Sequence, residues 1–173
     1  TEGQAKSWDL SCMRALGCGA EPIQADVLRG FLDRFARQGL RPSSILPCYG
    51  MAEATLAMSF LGLHDRLRVD SIDSDTCHEE DRAEPVAAGT PGALELVCCG
   101  RPFKDHELAI FADSGERLPE RHIGEIRFRG PSVAAGYFQN PEATAAAFAP
   151  PEQGGWLHTG DLGYIADGQL YIS

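Results

Sequence analysis

The sequence predicts an α/β fold: the end of a layered parallel α/β subdomain followed by a small antiparallel β-barrel subdomain. Three observations carry that prediction. Two short apolar runs, Met13 to Cys18 and Ile45 to Cys48, alternate with helical patterns, and continuous apolar strands of this kind pair in parallel within layered sheets. From Leu94 onward the pattern changes to short strands bounded by Gly, Pro or Asp. Asp167-Gly168, set between Tyr164-Ile165-Ala166 and Gln169-Leu170-Tyr171-Ile172, is the signal of a two-residue hairpin.

Each element follows from its residues. Met13 to Cys18 reads as a buried strand closed by the loop Gly19-Ala20-Glu21-Pro22. Val27, Leu28, Phe31, Leu32, Phe35 and Ala36 recur at helical spacing and predict an amphipathic helix with Gly39 as its stop. Ile45 to Cys48 is the second buried strand. Ala52 to Leu61 is apolar and free of breakers, which predicts a helix ending at Gly62. His64 to Gly92 has another character: Asp65, Asp70, Asp73, Asp75, Glu79, Glu80, Asp81 and Glu84 make it acidic, and its periodicity is weak. That composition suits a surface loop, yet a structureless loop of this length is unusual inside a compact domain. Strands are expected at Leu94–Cys99, Glu107–Phe111, Gly124–Phe128, Trp156–Thr159 and Tyr164–Ala166. Asn140-Pro141-Glu142 opens a short Ala-rich helix through Phe148, with Asn as N-cap and Pro at the first helical position. The chain therefore divides into residues 1–62, an acidic segment 63–92, and residues 93–173.

Composition narrows the function. A formal net charge of −10 and 15 scattered Lys and Arg leave no basic patch to neutralise the phosphates of a nucleic acid or an anionic membrane. No apolar run approaches the ~20 residues of a membrane span, and no signal-peptide pattern is present. The six cysteines form no C-x-x-C and read as reduced, mostly buried thiols of a cytoplasmic protein. Cys77-His78-Glu79-Glu80 lacks the second Cys/His cluster that a structural zinc site needs. The chain has no initiator Met and stops inside a strand-like segment, as a piece of a longer protein would.

Two runs carry chemistry: Tyr49-Gly50-Met51-Ala52-Glu53-Ala54-Thr55, and His158-Thr159-Gly160-Asp161-Leu162. A ring to stack on a base, a carboxylate for a metal and an acid for a ribose diol are what an ATP site needs. Tyr49 offers a large flat face, although a core tyrosine at a strand end fits the same pattern. Glu53, between a strand and a helix N-terminus, suits Mg²⁺ held jointly with substrate phosphates. It equally suits an acid complementing a helix dipole. Asp161 has two acceptor oxygens for a diol, or is a turn former after Gly160. Gly19 lets a backbone approach a ligand closely, or simply makes a tight strand-to-helix turn.

Gly19-Ala20-Glu21-Pro22, the Tyr49–Glu53 run, Gly124-Glu125-Ile126 leading to Gly130 and Ala135-Gly136-Tyr137, and Thr159-Gly160-Asp161-Leu162 resemble, in this order, the motifs of the adenylate-forming superfamily. That superfamily includes acyl-CoA synthetases, luciferases and peptide-synthetase adenylation domains. The wording of the first two motifs is most similar to the fatty acyl-AMP ligases. The resemblance implies that Gly19, Ala20 and Glu21 border adenine, that Tyr49 stacks on it within the Gly50, Met51 and Ala52 stretch, and that Asp161 accepts the ribose hydroxyls. It implies a catalytic, Mg²⁺-holding role for Glu53 and an apolar contact near the nucleotide for Ile172, a residue that hairpin packing explains as well. Many relatives carry Thr at the position of Ala52, whose hydroxyl would reach the α-phosphate; here Thr55 or backbone would have to serve. The region from Gly124 to Tyr137 reads as mainly structural, with Glu125 as a support and His158 bordering the site. The implied reaction uses ATP and Mg²⁺ to activate a fatty acid, with an acyl carrier protein as acceptor. The acidic segment corresponds to an added segment thought to disfavour CoA use, whereas the runner-up, an acyl-CoA synthetase, has a shorter connection there. A fragment that binds nucleotide or a partner without catalysis is the reading from another class. No Gly/Ser/Thr-rich phosphate loop, hinge or catalytic-lysine domain is present in these residues. The resemblance puts them in N- and C-terminal parts of the same enzyme and makes this piece alone inactive.

Overall fold

The structure, a computed structural model, describes residues 7–173; residues 1–6, the start of the first predicted unit, lie outside that range. Strand β1 (Leu16–Cys18) pairs in parallel with β2 (Ile45–Tyr49), in the register Leu16 to Ile45 and Cys18 to Pro47. Helix α1 (Ala25–Phe35) connects them, as the apolar spacing requires, and buries Ala25 and Leu28. A 3-10 turn (Ala36–Gln38) follows, and Gly39 ends it in the left-handed conformation at φ 85°. β1 is shorter than the sequence suggests. Met13 stays outside the ladder, and its carbonyl accepts bonds from the Ser44 hydroxyl and the Arg41 guanidinium instead.

The helix expected over Ala52–Leu61 does not form. Only a 3-10 turn at Ala52–Ala54 is made, and Thr55 then reverses the chain at φ 74°. The returning chain becomes β3 (Ser59–Phe60), antiparallel to β2 with Tyr49 opposite Ser59. The physical reason lies in long-range partners. Met58, Ser59 and Leu61 are buried, the Ser59 hydroxyl bonds the Cys99 carbonyl at 2.9 Å, and the Met58 amide bonds the Tyr49 carbonyl at 2.8 Å. Gly50 permits the reversal, because a Cβ there would lie 1.9 Å from the Leu56 carbonyl oxygen.

The acidic segment is folded. It contributes β4 (Val69–Ile72) and helix α2 (Ser74–Glu80), which Asp73 caps by accepting the Thr76 amide bond. β4 pairs with β5 (Leu94–Pro102), which also pairs with β3. Beyond β5 come β6 (Glu107–Phe111), β7 (Gly124–Arg129), helix α3 (Pro141–Ala147), β8 (Leu157–Ala166) and β9 (Gln169–Ile172). The sheet runs β1-β2-β3-β5-β9-β8-β7-β6, antiparallel after the first pair. Its second part curls into a half-barrel. The two strands expected at Trp156–Thr159 and Tyr164–Ala166 are one strand, β8, interrupted by a register shift opposite Glu125–Arg127. The hairpin forms as its residues require, with Asp167 and Gly168 both left-handed at φ 53° and 68°.

Alternation along the strands divides the core in two. Cys99, Ile126, Phe128, Leu157 and Leu170 face one cluster, together with Ala54 and Met58. Cys98, Tyr164, Ala166 and Tyr171 face the other, where Ile72, Cys77 and Ala83 of the acidic segment cover them. The adjacent Cys98 and Cys99 thus point to opposite faces, as a period of two dictates. The segment's residues are held there by polar contacts as well. Asp70 accepts bonds from the Tyr164 hydroxyl at 2.8 Å and the Arg121 guanidinium at 3.0 Å.

Candidate functional site

A cavity of about 340 Å³ opens where the β1–α1 loop, the end of β2, strand β5 and the two last strands meet. Ala20, Glu21, Tyr49, Gly50, Asp161 and Ile172 line it, so six of the sequence-derived positions converge from three distant stretches. Gly19, Met51, Ala52 and Glu53 are not among its lining residues. Gly19 is small for another reason: a Cβ there would stand 2.6 Å from the Cys48 carbonyl, so its contact is with β2. Met51 packs against the half-barrel core. Ala52 is exposed at the start of the 3-10 turn, and Ile172 serves the core and the cavity together. Ala20 holds φ 71°, a left-handed conformation uncommon for a residue with a Cβ, at the cavity wall.

The sequence reading missed Pro22, Ile23, Cys48, Leu96, Val97, Cys99 and Ser173, which complete the wall. The apolar run in β5 was legible as a strand, but nothing local says that it lies beside β2 and β9. Burial raises the Cys48 thiol above its ordinary range and pushes Cys99 up to about 12, so both thiols stay neutral.

Tyr49 and Asp161 form the polar end. The Tyr49 hydroxyl donates to Asp161 Oδ2 at 2.6 Å. Burial, followed by the Asp161 contact, raises the phenol further above its ordinary range and keeps it a donor at any working pH. Asp161 Oδ1 and the free lone pair of Oδ2 remain as acceptors for a diol. The loop is held behind them, since the Asp161 amide donates to the Thr159 hydroxyl at 3.1 Å and that hydroxyl donates to the Ile126 carbonyl at 2.6 Å. His158 has its Nδ1 at 3.2 Å from Glu125 Oε2, which also accepts from Arg127 Nε at 2.6 Å. Glu125 is thus a support and His158 is outside the cavity wall.

Glu53 sits on the 3-10 turn, not at a helix N-terminus, so no helix dipole assists it. Its Oε1 accepts a bond from the Tyr137 hydroxyl at 2.6 Å. Among the described residues no group of three or more His, Cys, Asp and Glu could hold a metal ion. A lone, half-buried carboxylate fits a hard cation that takes its other ligands from phosphates and water, which is the habit of Mg²⁺ and not of zinc.

Comparisons with known proteins give the chain a family. The chain is 38% identical, over 99% of its length, to a Caulobacter vibrioides protein provisionally named an acyl-CoA synthetase, of which it spans 30%. It is 35% identical over 99% of its length to the medium-chain-fatty-acid–acyl-carrier-protein ligase TtuA of Teredinibacter turnerae and spans 28% of that protein. A Legionella pneumophila fatty acyl-adenylate ligase, solved with acyl adenylate and pyrophosphate, superposes with a TM-score of 0.91 at 30% identity, covering 99% of this chain and 30% of that one. The family model of AMP-binding enzymes matches residues 1–138, and the chain belongs to that adenylate-forming family.

Proposed function

We propose that this chain is an internal part of a fatty acyl-AMP ligase that activates a fatty acid with ATP and hands the acyl group to an acyl carrier protein in the cytoplasm. The observation that carries the reading is the convergence of Ala20, Glu21, Tyr49, Gly50, Asp161 and Ile172 on one cavity of about 340 Å³. The fatty acyl-adenylate ligase and carrier-protein ligase among its similar proteins support the choice of substrate and acceptor.

In this reading adenine enters the cavity against the Tyr49 face, bordered by the Ala20–Glu21 backbone, with Gly19 behind. The ribose hydroxyls donate to Asp161, whose carboxylate is already oriented by the Tyr49 hydroxyl. The triphosphate then points toward the turn that carries Glu53. Mg²⁺ held by Glu53, phosphate oxygens and water supplies charge neutralisation when bound. A fatty carboxylate oxygen bonds to the α-phosphorus as the bond to the pyrophosphate oxygen breaks, and the electron pair leaves with pyrophosphate. No covalent enzyme nucleophile is required, so the chain's contribution is positioning and electrostatics. The phosphate loop and the catalytic lysine are assigned to other parts of the same enzyme. The chain by itself would therefore leave the phosphates half neutralised.

An acyl-CoA synthetase is the second reading, favoured by the similarity to the Caulobacter protein. The full-length protein incubated with fatty acids of varied length, ATP and Mg²⁺, with and without CoA, separates the two by mass spectrometry. Acyl-adenylate that accumulates and is not converted on adding CoA supports the acyl-AMP ligase. Prompt acyl-CoA overturns it, and absence of both products with every acid overturns catalysis altogether.

A further inference from the structure

We propose that Tyr137 is a positioning residue for the Glu53 carboxylate, and that the loop from Ser132 to Tyr137 is a brace that sets the metal-facing turn. The proposal rests on the reading of Glu53 as a magnesium ligand. Three contacts carry it. The Tyr137 hydroxyl donates to Glu53 Oε1 at 2.6 Å. The Ala134 amide donates to the Glu53 carbonyl at 2.8 Å. The Thr55 hydroxyl donates to the Ser132 carbonyl at 2.9 Å. The turn they hold is one that its own sequence does not hold: three residues of 3-10 helix followed by Thr55 at a positive φ of 74° with ψ −52°, uncommon for a residue with a Cβ.

The ring that delivers the hydroxyl is itself fixed. The Tyr137 amide donates to the Thr144 hydroxyl at 2.9 Å, and its ring meets Phe148 edge-on, with centroids 5.5 Å apart and planes at 74°. Thr144 belongs to α3, whose first turn is capped by the Asn140 side chain on the Ala143 amide at 3.1 Å. Helix α3 therefore holds Tyr137, and Tyr137 holds Glu53. A carboxylate with one oxygen bonded this way keeps the other, and its rotamer, available for a cation, as partners behind a ligand do in metal sites. The phenol is 40% exposed, so little folding energy depends on it.

The test is equilibrium binding of a non-hydrolysable ATP analogue to the full-length protein, by calorimetry, with and without Mg²⁺. Wild type gains affinity on adding Mg²⁺. Tyr137→Phe is expected to cut that gain by about tenfold, at unchanged metal-free affinity and unchanged thermal midpoint. Glu53→Gln is expected to abolish the gain, and Tyr137→Phe in that background to cost nothing more, because the pair acts as a unit. A gain retained within about twofold in Tyr137→Phe, while Glu53→Gln loses it, overturns the positioning role and leaves the metal reading intact. A gain that survives Glu53→Gln overturns the metal reading and the positioning role together. Equal losses from Tyr137→Phe with and without Glu53 overturn the positioning role, since they describe a general structural effect.

Discussion

Two regions of the molecule use the same chemistry, a tyrosine hydroxyl on a carboxylate, to opposite ends. Where the acidic segment docks, Tyr164 is fully buried and its hydroxyl donates a hydrogen bond to Asp70, which also holds Arg121. At the candidate site, Tyr49 pairs with Asp161 and Tyr137 with Glu53, at 2.6 Å each against 2.8 Å for the buried pair. Bond length would rank the site pairs as the stronger ones. Burial ranks them the other way, because an unpaired group costs most where water cannot replace its partner. The docking pair stabilises the fold, whereas in the proposed reading the site pairs orient carboxylates whose remaining oxygens are left for a ligand.

The widest gap between the regions is expected from Asp70→Ala. It strands the Tyr164 hydroxyl in the core and leaves Arg121 with only the Ala83 carbonyl of its two acceptors, and it should cost about 3 kcal/mol of stability. Chemical denaturation measures it; a loss below about 1 kcal/mol would erase the distinction between the two regions. Asp161→Ala should act on the other side of the comparison. In the proposed reading this exposed carboxylate binds a diol, so nucleotide-analogue affinity should fall by about tenfold or more, with a stability loss of no more than about 1 kcal/mol from the Tyr49 hydroxyl left without its partner. Tyr49→Phe lies between, since its ring is half-buried beside the cavity: about 1 kcal/mol of stability and a modest loss of nucleotide affinity are expected. Affinity preserved in Tyr49→Phe would mean that Asp161 needs no orienting partner.

The half-barrel was more legible than the part that precedes it, and the reason is sequence distance. Asp167-Gly168 and Asn140-Pro141 specify their turn and cap through their own backbone needs, so the hairpin and α3 are where the residues say. Ala52 to Leu61 is decided by Cys99 and Pro47, which accept the bonds of Ser59 and Leu61, and no local pattern announces them. In the acidic segment, Asp70 looked like one more surface acid until Tyr164 and Arg121, 94 and 51 residues away, were found against it. The site divides the same way. Tyr49 and Asp161 are visible because the proposed stacking and diol binding call for those side chains. Tyr137, 84 residues from Glu53, stood in the Ala135-Gly136-Tyr137 motif and read as mainly structural, with no sign of Glu53 as its partner.

The smallest effect expected concerns the outer edge of the docked segment, where α2 begins. The Asp73 carboxylate accepts the Thr76 amide and hydroxyl, both at 2.8 Å. The amide bond first, and the hydroxyl after it, lower the acid from its ordinary 3.8. Because the folded value is depressed, the cap contributes fully above the unfolded value and is lost as pH falls from about 4 through the lowered one. Protection of the Thr76 amide against hydrogen exchange should therefore hold constant at neutral and mildly acidic pH and decline only below that window. Asp73→Asn supplies an equally good cap that does not titrate, so its protection should stay flat over the same range. A parallel decline in both proteins would show that the acid sensitivity does not come from the Asp73 cap.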